Sequence, residues 1–263
     1  MPRGRTNPVM VTRVRADGRA RVPDRVVSEE PMEVRLDDHL VTTTMRTPGH
    51  DYELAVGFVF TEGLLENAPV QQVRYCATGS AVETEFNVVS VETGGLAPEP
   101  TPRLGTTTSS CGLCGSASLD ALAARLAPLA EPAAPFDLDL VQAVMEKVSA
   151  DQELFHLTGS VHAAAAYDAT TGAVSVVRED VGRHNAVDKV VGRLLLDGQL
   201  PATNQGLFVS GRVSFEIVQK AWAAGFGQVA AVSGPTDLAV ATAKRANIAL
   251  AGFVRDRGAN LYT

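Results

Sequence analysis

The sequence predicts an α/β protein whose N-terminal part is α+β and whose C-terminal part is built on a parallel βαβαβ unit. Three observations carry that prediction. Short apolar runs alternate with amphipathic stretches of helical length through the last third of the chain, strand-like and helix-like segments mix before residue 93, and a stretch rich in proline and glycine separates the two regions. The implied organisation is an arginine-rich flexible arm over 1–29, an N-terminal domain over 30–105, a mobile loop over 106–115 and a C-terminal α/β domain over 116–263.

Taken in order, the arm has seven arginines in its first 25 residues and is broken by Asp17, Gly18, Pro23 and Asp24. That composition reads as a solvated segment, with docking to an acidic partner as the alternative. Alternation over Glu33-Val34-Arg35-Leu36 and Leu40 to Met45 predicts strands, ended by Thr47-Pro48-Gly49. Leu54, Phe58 and Leu65, with Val59 beside them, mark one face of a helix over 51–65. Residues 71–77 and 82–92 read as strands, and Cys76 within the first reads as a small buried hydrophobe. Gly94 to Pro102 then holds three prolines and two glycines in nine residues, which is a linker.

Beyond the linker, helices are expected over 116–127 and 140–149, the second capped by Asp139. The apolar run 160–167 is a strand or a buried helix, and 173–178 is a strand. His162, inside the apolar run, reads as a satisfied core histidine. A polar cluster, Arg178-Glu179-Asp180-Val181-Gly182-Arg183-His184-Asn185, runs into a helix whose apolar face uses Val187, Val190, Val191 and Leu194 and which Gly198 closes. In the last third, 207–209, 229–232 and 253–254 are strands, and 215–224 and 238–250 are helices, with Trp222 and Phe226 in the core. Right-handed crossovers make this a parallel sheet with its loops along one edge. Both strand-to-helix turns begin alike, as Ser210-Gly211-Arg212 and Ser233-Gly234-Pro235. Such turns at helix N-termini suit an anion, and Arg212 adds a full charge, although the Ser-Gly pair also makes a tight turn on its own.

Composition narrows the function. The chain has 263 residues, 45% hydrophobic and 20% charged, with a net charge of −7, which argues against nucleic-acid binding through counterion release. Three cysteines are too few for a disulfide framework and point to a reducing, cytoplasmic setting. Neither a signal-peptide core nor an apolar run of membrane-spanning length occurs in the sequence, so no membrane association is expected.

Two of those cysteines stand in Ser109-Ser110-Cys111-Gly112-Leu113-Cys114-Gly115, just ahead of an expected helix N-terminus at Ser116. The partial positive charge there favours thiolate: a pKa falling from about 8.5 to about 6.5 raises the ionised fraction near neutral pH from a few per cent to roughly three quarters. Thiols at this spacing share a metal, form a disulfide, or pass sulfur or electrons. Structural zinc needs four ligands, and no second pair stands at ligand spacing, so no metal site is expected. A zinc deaminase needs His-x-Glu before Pro-Cys-x-x-Cys; here His162 lacks the glutamate, Ser110 replaces the proline, and the cysteines come first. Redox exchange and persulfide transfer remain level, and a loop between two folded parts suits a thiol that meets two partners in turn.

Four stretches together resemble one family: Arg46-Thr47-Pro48-Gly49-His50-Asp51-Tyr52-Glu53-Leu54-Ala55-Val56-Gly57-Phe58, Ser110 to Gly115, Glu179 to Lys189, and Ser210-Gly211-Arg212-Val213-Ser214-Phe215-Glu216. Their order is similar to that of the formate dehydrogenase accessory sulfurtransferases, the FdhD family, from about residue 30 onward. The resemblance implies a C-terminal domain of cytidine deaminase-like, three-layer fold without zinc chemistry. It implies a homodimer that takes sulfur from a cysteine desulfurase, with Cys111 as the persulfide carrier and Cys114 assisting or resolving. The acceptor it implies is the molybdenum or tungsten bis(molybdopterin guanine dinucleotide) cofactor of formate dehydrogenase, bound by Phe253, Val254, Arg255, Asp256, Arg257 and Gly258. Within that segment Arg255 and Arg257 follow the third strand of the βαβαβ unit, on the same edge as Ser210, Gly211, Arg212, Ser233 and Gly234. Two other readings are a non-catalytic cofactor-binding chaperone and a dithiol oxidoreductase. The roles of Asp180, Arg183, His184 and Asp188 stay open between proton transfer or ligand contact and local capping or pairing.

Overall fold

The computed structural model describes residues 4–76, 80–100, 120, 122–131 and 134–263. Among them, three sheets form. The first is a two-stranded antiparallel hairpin, β1 (Thr6–Arg15) with β2 (Gly18–Val27). The stretch expected to be a flexible arm is therefore a regular hairpin over 6–27. The turn signal at Asp17-Gly18 joins strands whose two faces both look to solvent, so no apolar alternation marks them. Pro8 and Pro23 fit because each strand is an edge. Its base is tied by the Ser28 amide, which donates to the Arg5 carbonyl at 2.9 Å, and by the Ser28 hydroxyl, which donates to the Gly4 carbonyl at 2.7 Å.

The second sheet has four strands in the order β4-β3-β6-β5: β3 (Glu30–Leu36), β4 (His39–Arg46), β5 (Gln72–Tyr75) and β6 (Val88–Glu92). Met32, Val34 and Leu36 alternate on its inner face and pack with Val89 and Val91 against α1 (Asp51–Thr61). Residues 82–86, expected in a strand, belong to a turn over 81–86 instead, with Glu85 and Phe86 at positive φ. Cys76 is buried, as its reading as a small hydrophobe expects, and its sulfur lies 2.8 Å from the Thr84 hydroxyl.

The third sheet has six strands in the order β12-β11-β10-β9-β7-β8. These are β7 (His162–Asp168), β8 (Val174–Asp180), β9 (Gln205–Val209), β10 (Gln228–Ala231), β11 (Ala249–Arg255) and β12 (Gly258–Leu261). Strands β9, β10 and β11 run parallel, as the βαβαβ pattern predicts, and the other pairings are antiparallel. Helices cover both faces, giving three layers. Ala164, Ala166, Leu207, Val209, Val229 and Ala231 meet α4 (Arg183–Leu196), α5 (Phe215–Ala224) and α6 (Asp237–Ala246). The alternate residues, among them Ala163, Ala165, Tyr167, Phe208 and Ala230, meet α2 (Leu138–Ala150). This period-2 division of side chains is what makes the run at 160–167 a strand. A short helix, α3 (Glu153–Thr158), follows α2.

Two boundaries move. Asp137 rather than Asp139 caps α2, its carboxylate accepting from the Leu140 amide. Helix α6 stops at Ala246 because Asn247 adopts left-handed φ of 59°, a C-terminal cap, and the buried Ile248 and Leu250 that seemed to continue the helix belong to the approach to β11 and to β11 itself. Among the described residues no helix is long and apolar enough to cross a membrane.

Helix α1 is buried on both sides, not on the single face its leucines suggest, because α4 crosses it opposite the four-stranded sheet. The crossing is made by two glycines. A methyl group on Gly57 would meet the Asp188 carbonyl oxygen at 1.9 Å, and one on Gly192 would meet that of Glu53 at 1.8 Å. Backbones approach this closely only without side chains.

Candidate functional site

Where α1 and α4 cross, the polar cluster of the sequence becomes a buried seam between the two parts of the chain. Asp180 and Lys189 are fully buried and paired at 2.6 Å. The Asp180 carboxylate also accepts from the Thr47 amide at 3.2 Å, while the Lys189 ammonium donates to the Thr47 carbonyl at 2.9 Å. Asn185 donates to the Met45 carbonyl at 2.8 Å. One turn further, Asp188 accepts from the Thr61 hydroxyl and pairs with Lys220, each at 2.9 Å, and Lys220 reaches Glu62 at 3.3 Å. Burial alone would discharge Lys220; Asp188 and Glu62 outweigh it and hold the ammonium protonated. Arg46, 2% exposed, is held by Asp51 and Glu30. Arg178 grips Glu53 with two hydrogen bonds, at 2.5 and 2.8 Å. Burial opposes the charge on Glu53, but Arg178 and His50 together prevail and draw its carboxyl down to about 2. Asp180 and Asp188 thus join the two halves, which answers the question the sequence left open for them. Their partners Thr47, Thr61 and Lys220 are too remote in sequence for local pattern to reveal.

At the carboxyl edge of β9, β10 and β11 lies a cavity of about 910 Å³ walled by Met145, Phe155, His162, Phe208, Ser210 and Asp256, among others. Ligands in open α/β sheets bind at this edge. Ser210 anchors the first turn to β7: its hydroxyl accepts from the Ala163 amide, and its own amide donates to the Ala163 carbonyl, both at 2.9 Å. The hydroxyl proton stays available to the cavity. His162, expected in the core, is only partly buried and lines this cavity, because it stands at the first position of β7. Burial, then Arg183, lowers its pKa.

The two Ser-Gly turns share a dipeptide and differ in surroundings. The second is filled: the Phe253 ring lies where a side chain on Gly234 would go, 2.6 Å from that position, and the Phe253 amide donates to the Ser233 carbonyl at 3.2 Å. Phe253 adopts φ of 54° at an irregularity in the β11–β12 pairing, which turns its ring outward over the turn. Helix α6 behind it is capped by Thr236, whose hydroxyl accepts from the Ala239 amide. Arg255 donates to the Val232 carbonyl at 2.5 Å and to the Val254 carbonyl at 2.9 Å, and its own carbonyl accepts from Gln142 at 2.6 Å. Arg257 and Asp256 are exposed in the β11–β12 turn ahead of Gly258, and Val254 is buried under α2.

The first turn is lined by polar side chains instead. A methyl group on Gly211 would come within 3.2 Å of His162 Nδ1 and 3.4 Å of Arg183 Cδ. Helix α5 has no side-chain cap, since the Ser214 hydroxyl instead meets His184 Nε2 at 3.2 Å. Burial first, then Arg183 and Lys220, lowers His184 to about 4, so its imidazole is neutral at neutral pH. The structure thus brings Ser210, Gly211 and Arg212 together with two residues that local pattern did not assign to this edge, His162 and Arg183. The usable signal for His162 was its place at the start of an apolar strand beside β9. Cys111 and Cys114 lie outside the described residues, as do residues 116–119 and 121 of the helix expected over 116–127, of which 120 and 122–125 are helical.

The FdhD/NarQ family matches residues 27–263. A "Sulfur carrier protein FdhD" of Streptomyces avermitilis is 45% identical over 260 residues, covering 96% of this chain and 92% of the relative. One of the same name from Mycolicibacterium paratuberculosis is 45% identical over 248 residues, covering 92% and 90%. A crystal structure from Desulfotalea psychrophila, named for a formate dehydrogenase accessory protein, shares the fold with a TM-score of 0.77 at 24% identity, covering 99% of this chain and 97% of that one. The FdhD/NarQ match spans both sides of the seam and the whole sheet edge, and the chain belongs to that family.

Proposed function

We propose that this protein is a sulfur carrier for formate dehydrogenase. The observation that supports this most is the likeness, along nearly all of both chains, to proteins named as sulfur carriers. The Cys-x-x-Cys pair supplies the chemistry. Cys111 thiolate attacks the outer sulfur of a persulfide on a cysteine desulfurase; the donor's thiolate leaves, and Cys111 carries the sulfane sulfur. Cys114 then attacks the inner sulfur and releases hydrosulfide to the acceptor, and the Cys111–Cys114 disulfide is reopened by a dithiol reductant. The acceptor is the bis(molybdopterin guanine dinucleotide) cofactor, a substrate here, before it enters the dehydrogenase.

Its guanine nucleotide portions would sit at the carboxyl edge, against Ser210, Gly211 and Arg212 of the first turn, with Ser233 and Gly234 and the segment Phe253 to Gly258 forming the adjoining wall. The cavity at the carboxyl edge of the parallel strands, with the uncapped N-terminus of α5 beside the first turn, supports this placement. The protein acts in the cytoplasm as a homodimer, meeting the desulfurase and the dehydrogenase in turn. Incubation with a cysteine desulfurase and cysteine should add the mass of sulfur to Cys111 in an intact-mass measurement, and Cys111→Ala should abolish both the adduct and formate dehydrogenase maturation. Maturation that survives Cys111→Ala with Cys114→Ala would leave a cofactor-binding chaperone in place of a sulfur carrier.

A further inference from the structure

The hairpin of β1 and β2 is a sheet of its own, hydrogen-bonded to neither of the other two, and it ends where the FdhD/NarQ match begins at residue 27. Its paired strands make it about 33 Å long at the usual rise per residue. Strand β2 lies against α3, yet most of the side chains of both strands are exposed. A two-stranded ribbon is marginally stable by itself and needs a further surface over one of its faces.

Directly opposed residues of an antiparallel pair share a face. One face sets Met10, Thr12 and Val14 of β1 opposite Pro23, Arg21 and Arg19 of β2, with Arg25 opposite Pro8 beyond them. It holds three arginines, no acid, and two apolar side chains that stand well out of the protein, Met10 at 55% and Val14 at 64% exposure. On the other face Arg13 and Arg15 stand opposite Ala20 and Gly18, whose small size leaves a trough of about 300 Å³ at the tip. Arg19 also borders that trough, and Asp17 is its one acid. Arg15, Arg19 and Arg21 form no ion pair among the described residues, and Arg13 reaches only Asp24, at 3.9 Å, within the hairpin itself.

Charge that would meet these arginines is carried by the rest of the chain. Residues 6–27 have five arginines against two acids, whereas residues 28–263 have 28 acids against 16 lysines and arginines. Within one copy the two kinds of charge stay apart, since among the described residues no carboxylate of the body reaches a hairpin arginine. A second copy brings them together, and a two-fold axis makes the contact twice. Met10 and Val14 give that contact an apolar centre with arginines around it. The same acidic body would repel a nucleic acid or an anionic membrane.

We propose that β1 and β2 form a dimerisation arm whose arginine face lies on the acidic body of a second copy of this chain. The assignment rests on the homodimer reading proposed above and names the surface that makes the dimer.

Sedimentation velocity of the full chain tests it. The unaltered protein should dimerise, and raising the salt from about 0.1 M to about 1 M, which shortens the Debye length from about 10 Å to about 3 Å, should weaken the dimer. Arg19→Glu combined with Arg21→Glu should raise the dissociation constant by about a hundredfold or more, because each reversal replaces an attraction by a repulsion. Both side chains are exposed and without ion pairs among the described residues, so the exchange leaves the fold intact. Lys244→Glu combined with Arg245→Glu, an equal change of charge on exposed positions of α6, should leave the dimer unchanged. Loss of the dimer in both double variants would make net charge the cause and overturn the arm. A dimer indifferent to salt, or untouched by the reversal of Arg19 and Arg21, also overturns the arm and keeps the homodimer reading. A chain that stays monomeric overturns both and leaves the hairpin for a partner of another kind. Sulfur loading of Cys111 is read separately by intact mass.

Discussion

The segment from Glu179 to Lys189 divides its charges between two regions that treat them oppositely. Facing the seam, Asp180, Asp188 and Lys189 find partners of opposite sign or backbone groups within 3.2 Å. Facing the sheet edge, Arg183 forms no ion pair among the described residues, Glu216 offsetting only part of what lowers it, and His184 meets the Ser214 hydroxyl at 3.2 Å and Glu216 at 3.8 Å. Stability and binding make opposite demands: a buried charge must be neutralised inside the protein, whereas a charge kept for a ligand must be left without an internal partner. Helical periodicity lets one segment meet both demands, since residues on opposite faces of α4 point to different neighbours.

The largest expected effect tests the seam. Lys189→Met leaves the fully buried Asp180 without its cation and should cost about 3–5 kcal/mol in urea unfolding. A loss below about 1 kcal/mol would mean that the pair does not join the two halves. Next, Glu53→Gln gives up a charge-assisted bidentate contact to Arg178 and should cost about 1–3 kcal/mol at neutral pH. The same contact sets an acid limb. Folding lowers the Glu53 carboxyl from 4.5 to about 2, so its contribution is complete above about 4.5 and is lost as the pH falls toward about 2. Thermal melts across that window should flatten in Glu53→Gln, and an unchanged slope would assign the limb to other carboxylates.

On the edge side the effects are smaller. Folding holds His184 below its ordinary 6.5, at about 4, so proton uptake favours the unfolded chain and stability falls as the pH drops from about 6.5 toward about 4. His184→Gln should remove that slope. In an NMR titration, Arg183→Gln should raise the His184 pKa, because one of the charges that depress it is gone; no rise would separate the two residues. Smallest of all, Arg212→Gln should change stability by no more than about 0.5 kcal/mol while it weakens pyrophosphate binding, since Arg212 is exposed and forms no ion pair among the described residues.

Much of the fold was legible because its signals are local. The runs around Leu207, Val229 and Phe253, and Gly225 closing α5, are periodicity and caps, and they locate the βαβαβ unit. The hairpin over 6–27 was hidden because arginines occupy strand positions on a sheet with no buried face, although Asp17-Gly18 marks the turn. At the site, Ser210, Gly211 and Arg212 could be found from the repeated dipeptide. The different fates of the two turns could not, since they depend on Phe253 folding back over Gly234 and on Arg183 arriving from another helix. The roles of Asp180 and Asp188 stayed open because an acid ahead of a helix and another inside it give no hint of Thr47 or Lys220. Charge within a segment is readable from sequence; whether the fold neutralises it is a property of contacts distant along the chain.

The most direct test of whether the charge left open at the edge serves an anion is a crystal structure of this protein with guanosine diphosphate. The account predicts the nucleotide against Ser210, Gly211 and Arg212 at the carboxyl edge, with the segment Phe253 to Gly258 as the adjoining wall. A nucleotide bound elsewhere on the protein, with the first Ser-Gly turn unoccupied, would contradict it.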